Sequence, residues 1–199
     1  MALHGDQTKT RLLAEARDLY LEGGFARFSL REVARRVGVS APAVYRHFDD
    51  KEALLGAVCA TGFAIFSSYL LKALGERGPR ERLLESARQY LRFAVENPRD
   101  YRFIFMGAAE DFATLAPAVS NGEGSSTFQF LVDRVHECMQ ARILKKNADA
   151  AVVATLIWGN VHGLVSLRLS GHLSQRGSDG EFARFYQAAC ESLIRGLGP

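Results

Sequence analysis

Between Arg27 and Phe48 the chain carries five arginines (Arg27, Arg31, Arg35, Arg36, Arg46) against one acid, Glu32. The local balance is 5 − 1 = +4, more than the +3 of all 199 residues. Guanidinium groups at this density suit phosphate, which they bind through charge-assisted and often paired hydrogen bonds. No set of residues points as clearly to catalysis. His136-Glu137-Cys138-Met139-Gln140 starts like a zinc-protease helix, but Gln140 stands where the second histidine ligand must be. Gly122-Glu123-Gly124 has Thr127 where a dinucleotide loop needs its third glycine. Gly38-Val39-Ser40-Ala41-Pro42 fails the nucleophile elbow at its last position. An enzyme is not expected, nor a metal or cofactor. Cys59, Cys138 and Cys190 are odd in number and far apart, which gives neither a disulfide framework nor a CxxC site and fits a reducing cytoplasm.

The elements that must position these arginines are helices. Leu12, Leu13, Ala16, Leu19 and Tyr20 recur at one-face helical spacing, and Gly23-Gly24 stops that helix. Ser29-Leu30-Arg31-Glu32 reads as a capping box opening a short second helix that buries Leu30, Val33, Ala34 and Val37. Gly38-Val39-Ser40 is a tight turn. Ser40 is placed to cap a third helix with Pro42 in its first turn, buried through Val44 and Phe48. Asp49 or Asp50 caps a long fourth helix running to about Leu74. Further helices are expected over Leu83–Ala94, Tyr101–Met106, 127–145, 148–171 and 180–197. Gly107–Ser126 reads as a mobile segment and Gly171–Gly180 as a polar loop. No stretch alternates long enough for a sheet, so the fold class is all-α.

Two short helices joined by three residues and preceded by a stabilising helix have the layout of a helix-turn-helix. The third helix opens on small residues, Ala41 and Ala43, which permit close approach to base edges. Tyr45, Arg46 and His47 follow within reach of backbone phosphates. Composition alone is permissive: 48% apolar and 24% charged residues exclude disorder, and a pI near 8.9 neither requires nor excludes nucleic acid.

The order of residues is more specific. Phe25-x-x-Phe28-Ser29-Leu30-Arg31-Glu32-Val33-Ala34, Gly38-Val39-Ser40, Val44-Tyr45-Arg46-His47-Phe48 and Lys51-Glu52-x-Leu54 together resemble the N-terminal domain of the TetR/AcrR family of transcriptional regulators. The likeness covers about residues 8–58. Trp158-Gly159-Asn160-Val161-His162-Gly163 is similar to the motif of a C-terminal subclass named for its Trp, His and Gly. The resemblance implies a helix-turn-helix domain over 1–50. A long helix joins it to an effector-binding and dimerisation domain over 51–199. It implies phosphate contacts from Ser29, Tyr45, His47 and Lys51, base reading by Arg31, and apolar contact with thymine methyls by Pro42 and Ala43. Ser40, Ala41 and Arg46 complete the expected DNA-binding set. Ala41 and Ala43 stand where some relatives carry polar base readers, which throws more weight on Arg31, Tyr45 and groove shape.

In the C-terminal part, the helix at 148–171 is apolar nearly all round, with Val152, Val153, Leu156, Ile157, Val161, Leu164 and Val165. Such a helix needs cover on every side. With Phe182, Phe185, Tyr186, Ala189, Leu193 and Leu197 of the last helix, it offers a homodimer surface. Ala53–Leu71 and Ala150–Leu167 are uncharged and long enough to span a bilayer. Their small residues, Asn160 and His162 argue for core helices instead, and mean hydropathy is −0.05. Met1–Arg11 lacks the apolar core of a secretion signal. Eleven of the chain's 20 aromatic residues lie between Phe63 and Phe130, Phe112 among them. Phe63, Phe66, Tyr101, Phe105, Phe128, Trp158 and His162 are the candidate contacts for a small apolar or aromatic effector. The expected function is a cytoplasmic repressor that binds a palindromic duplex operator as a homodimer and is released by that effector. An activator of the same fold, or a helical small-molecule carrier that does not act on DNA, are the alternatives.

Overall fold

A computed structural model describes residues 2–107, 123–174 and 177–199. Most of the stretch expected to be mobile, with Phe112, lies outside the described residues, as do two residues of the 171–180 loop. Among the described residues there are nine α-helices, one 3-10 turn and no strand. The helices are α1 (Ala2–Arg27), α2 (Leu30–Val37), α3 (Ala41–Tyr45), α4 (Lys51–Leu70), α5 (Pro79–Glu96), α6 (Pro98–Phe105), α7 (Glu123–Gln140), α8 (Ala150–Leu169) and α9 (Asp179–Gly196). The 3-10 turn, Leu71–Gly75, prolongs α4. The expected helix over 127–145 ends at Gln140, because Arg142 turns to φ 59° and cannot continue it.

The chain divides into two compact units, Met1–Ile65 with Asn97–Ser125, and Phe66–Glu96 with Ser126–Pro199. The first unit runs on through most of α4 and recruits α6. The reason is local packing. A Cβ at Gly62 of α4 would stand 2.8 Å from Ile104 Cγ2 of α6, so only glycine lets the two come this close. On its other side α6 meets α1, through Asp100 with Arg17 and through Tyr20 with Phe103, whose ring centroids are 4.9 Å apart.

Within this unit α1 breaks at Gly24, which takes φ 66° and redirects the chain toward Phe25 and Phe28. Leu12, Ala16, Leu19 and Tyr20 of α1 pack with Phe28, Val33, Val37, Val44 and Phe48, all buried. This small core fixes α2 and α3.

In the second unit Tyr186 of α9 is fully buried and donates to the Ala87 carbonyl of α5 at 2.9 Å. Helix α8 starts on Asp149, whose carboxylate caps the Ala151 and Val152 amides, and α9 starts on a complete capping box of Ser178 and Glu181. Helices Lys51–Gly75 and Ala150–Leu169 are long and apolar enough to cross a membrane by length and composition. Both also carry buried core: Leu54, Leu55 and Val58 in one, Val153, Ile157 and Val165 in the other.

Candidate nucleic-acid interface

Helix α2 is held at both ends. At its start the Ser29 hydroxyl accepts the Glu32 amide at 3.1 Å. The reciprocal half of the expected capping box is missing. The Glu32 carboxylate instead accepts from Arg35 at 2.8 and 2.6 Å and from Arg36 at 3.3 Å. A cation one turn away outcompetes a neutral amide for a carboxylate. These bonds, Arg35's first, hold Glu32 at a pKa of about 2. At the end of α2, Gly38 takes φ 76°, its amide reaching the Arg35 carbonyl and that of Val39 the Ala34 carbonyl. This is a Schellman closure, which needs the left-handed residue that glycine supplies. Arg11 of α1 donates to the Val37 carbonyl at 2.6 Å and ties down a further free carbonyl.

Helix α3 is a five-residue segment led by Ser40 and Pro42. Ser40 occupies the N-cap position, but its hydroxyl makes no capping bond, because the Ala43 amide already bonds the Ser40 carbonyl at 2.9 Å. Val44 anchors α3 in the core. Ser40, Pro42, Tyr45, Arg46 and His47 are exposed, and Ala41 and Ala43 half-buried. Tyr45 is 53% exposed, so its ring is not part of the core. Asp50 caps α4 by accepting the Ala53 amide at 2.6 Å. Lys51 follows, its ammonium 3.7 Å from the centroid of the Phe25 ring. That stacking limits the swing of a flexible side chain.

The five arginines divide into two classes. Arg35 and Arg36 are engaged by Glu32, and Arg36 is also bound by Glu22 of α1 at 2.8 Å. Among the described residues, Arg27, Arg31 and Arg46 form no ion pair, so their charge is available to a ligand. Sequence reasoning missed Glu22, Phe25 and Arg11 as supports. Glu22 and Arg11 lie outside the motif, and only tertiary folding brings them to it; Phe25 opens the motif, but its stacking with Lys51 appears only in the fold.

The seven candidate effector residues fall into two groups. In the first unit Phe63, Tyr101 and Phe105 form one cluster, with centroids 5.8 Å apart for Phe63–Phe105 and 5.3 Å for Tyr101–Phe105. Phe63 and Tyr101 are core residues. In the second unit Trp158 lies between Phe128, at 6.2 Å, and His162, at 6.0 Å. His162 Nδ1 is 3.0 Å from the Tyr90 hydroxyl and Nε2 is 3.3 Å from that of Ser166. Phe66 packs on Tyr90 with centroids 5.4 Å apart. Tyr90 and Ser166 were not singled out from the sequence for this role, although Ser166 follows His162 at i+4.

Two family descriptions match the chain. "Bacterial regulatory proteins, tetR family" matches residues 12–58, and "Tetracyclin repressor-like, C-terminal domain" matches residues 83–193, more than half of the chain. The chain belongs to the tetR family of bacterial regulatory proteins. The first match covers the segment from α1 to the start of α4, and the second contains Trp158–Gly163. Among curated proteins, the tetR-family chain is 30% identical over 101 residues to the HTH-type transcriptional activator FasR of Mycolicibacterium smegmatis. That stretch is 50% of this chain and 46% of FasR, so the chain spans under half the length of that relative. Among solved structures, a protein of unknown function from Rhodococcus sp. RHA1 is 26% identical with a TM-score of 0.75, covering 96% of each chain. A TetR family transcription regulator from Marinobacter aquaeolei VT8 shares the fold at 21% identity and a TM-score of 0.77, covering 96% of this chain and 98% of that one.

Proposed function

We propose that this tetR-family protein is a cytoplasmic DNA-binding transcriptional regulator, a repressor that acts as a homodimer on a palindromic duplex and is released by a small apolar effector. The observation that carries this reading is the surface around α3: exposed Arg31, Tyr45, Arg46 and His47 on elements fixed from beneath by Val44 and the Gly38 closure. Arg31 is the base reader, able to bind guanine bidentately. Ser29 keeps its hydroxyl proton for a phosphate while its oxygen caps α2. Tyr45, His47 and Lys51 bind further phosphates, with Arg46 beside them. Ser40, Ala41, Pro42 and Ala43 meet base edges and thymine methyls.

The dimer forms through α8 and α9. Helix α8 buries Val153, Ala154, Ile157, Val161 and Val165 but leaves Val152 and Leu156 more than half exposed. Gly159 lies on the same side and is open. An apolar face of this kind fits a second copy, and twofold symmetry matches two half-sites. The effector contacts the rings of Phe66, Phe128, Trp158 and His162 in the second unit; Phe63, Tyr101 and Phe105 are candidate contacts within the first unit taken by itself. The effector favours one position of α4 and lowers DNA affinity by its preference between the two states. FasR is named an activator, which favours activation as the second reading. Operator placement relative to the promoter decides the sign.

The test is selection of duplexes from a random pool, followed by titration of the winner at several salt concentrations. A near-palindrome with a log–log salt slope worth several phosphates per dimer is expected. No shared sequence, with weak binding even at low salt, would overturn the reading in favour of a small-molecule carrier. Transcription in vitro from a promoter with the selected site then separates repression from activation.

A further inference from the structure

Outside the helix-turn-helix, a second set of cations gathers at one end of the second unit. Backbone and side-chain contacts bring its segments together. The Cys138 thiol of α7 donates to the Pro79 carbonyl at the start of α5, at 3.3 Å, and Arg82 Nη1 meets Glu137 Oε2 at 2.8 Å. Past the end of α7 the chain folds back, the Ile143 amide reaching the Cys138 carbonyl at 2.9 Å. The Lys145 amide then donates to the Leu197 carbonyl at the end of α9, at 3.2 Å. Residues 76–82, 134–149 and 191–199 are thereby joined.

These segments hold eight cations and five acids, a balance of 8 − 5 = +3, equal to that of the whole chain. Arg82 and Arg134 are committed to Glu137. Among the described residues, Arg77, Arg80, Arg142, Lys145, Lys146 and Arg195 form no ion pair. All but the half-buried Arg80 are exposed. The Asp149 carboxylate is occupied by the α8 amides, and that of Glu191 accepts from Gln187 at 3.0 Å. Cations at helix C-termini offset the backbone dipole, and α7 and α9 both end here. At about half a charge per helix end, with the α5 N-terminus acting the other way, the dipoles absorb only about 0.5 of the excess.

The chemistry of this surface narrows its partner. None of the three segments carries an exposed large apolar side chain. It therefore lacks the buried anchors that carry protein–protein contacts. Affinity must come from releasing counterions, which favours the densest line of charge. Duplex DNA carries one phosphate per about 1.7 Å of axis, whereas an extended acidic peptide carries one carboxylate per about 3.3 Å.

We infer that this end of the second unit is a further duplex-binding surface, which holds DNA phosphates without reading sequence. Arg142, Lys145, Lys146 and Arg195 are its phosphate ligands, with Arg77 and Arg80 beside them. It lies wholly in the second unit and shares no residue with the α2–α3 surface. The protein then has one selective grip on DNA and one indifferent grip.

Fluorescence anisotropy of the full-length protein on a random-sequence duplex tests it. Arg31→Ala, Tyr45→Ala and Lys51→Ala together disable the α2–α3 surface, and this background is expected to retain salt-dependent duplex binding. Adding Lys145→Gln, Lys146→Gln and Arg195→Gln is expected to weaken that binding tenfold or more at low salt and to lower the log–log salt slope by about 2–3. Those three side chains form no hydrogen bond or ion pair among the described residues, so helicity and Tm are expected to stay parental. Arg88→Gln, Arg92→Gln and Arg184→Gln remove the same net charge elsewhere and are expected to change binding less than twofold. Polyglutamate at matched charge is expected to compete tenfold or more weakly than duplex. No duplex binding by the disabled background, or equal losses in the two charge-removal variants, would overturn the surface. So would polyglutamate competing as well as duplex, which marks an acidic protein as the partner. Operator selection by the parent decides the proposed function separately, because the random duplex carries no operator.

Discussion

Asp100 accepts from Arg17 through both of its carboxylate oxygens, at 2.9 and 3.0 Å, across 83 positions of sequence. Both side chains are mostly buried, and Asp18 extends the network to Arg99 at 2.7 Å. Helix α6 is thereby fastened to α1. Asp100→Ala is expected to cost about 1–3 kcal/mol, because it strands a half-buried guanidinium. Urea unfolding measures this, and a cycle with Arg17→Ala isolates the pair. An unchanged midpoint in the single variant would show that the contact contributes nothing.

The two classes of arginine predict different losses on DNA. Arg31→Ala is expected to cost about 1–3 kcal/mol of operator affinity and to relax selectivity at one base position. Arg35→Ala is expected to change affinity little, since Glu32 already occupies that guanidinium. Lys51→Ala should lower the salt slope by about one per half-site with sequence preference intact. Equal losses for Arg31 and Arg35 would contradict this division.

A Cβ added at Gly159 meets nothing within 4 Å inside the chain. Gly159→Arg is therefore expected to leave the protomer's helicity and unfolding midpoint essentially intact while placing a charge in the proposed dimer face. Leu156→Glu should act the same way. Sedimentation velocity is expected to show monomers for both variants and dimers for the parent. Dimers in all three would move the interface elsewhere.

Burial lowers the pKa of His162 below its ordinary value near 6.5. The folded protein thus prefers the neutral ring, and the unfolded chain takes up more protons as the solution turns acid. The stability this provides is complete above about pH 6.5 and is lost as pH falls through the lowered folded value. The Tm of the parent is expected to drop more than that of His162→Gln between pH 7 and pH 5. Parallel curves would remove His162 as the cause.

Burial pushes the thiols of Cys59, Cys138 and Cys190 up to about 11. At pH 8 roughly one thiol in a thousand is then ionised. Iodoacetamide is expected to label none of the three in the native protein within an hour and all three in guanidinium. Rapid native labelling of Cys59 would instead fit a redox role.

The local parts of the fold were legible because they are written in adjacent residues. The glycine stop at Gly24, the closure at Gly38 and the Asp50 cap all appear where spacing places them. Legibility failed where distant groups compete for one atom. The Glu32 carboxylate left the Ser29 amide for two arginines, one of them shared with Glu22. The grouping of α6 with α1 depends on Arg17, Asp100 and the Gly62–Ile104 approach, none of which has a periodic signature. The candidate contacts on α3 were readable as residue types. Their exposure, and which cations stay unpaired, required the tertiary fold.

Glu32 has a kinetic consequence. A regulator searching a chromosome spends nearly all its time on wrong sequence, gripping phosphates through charge alone. By occupying Arg35 and sharing Arg36, one carboxylate weakens that grip everywhere without touching Arg31. A chain with Glu32→Gln would hold random DNA more tightly, linger at each false stop, and reach its own site later.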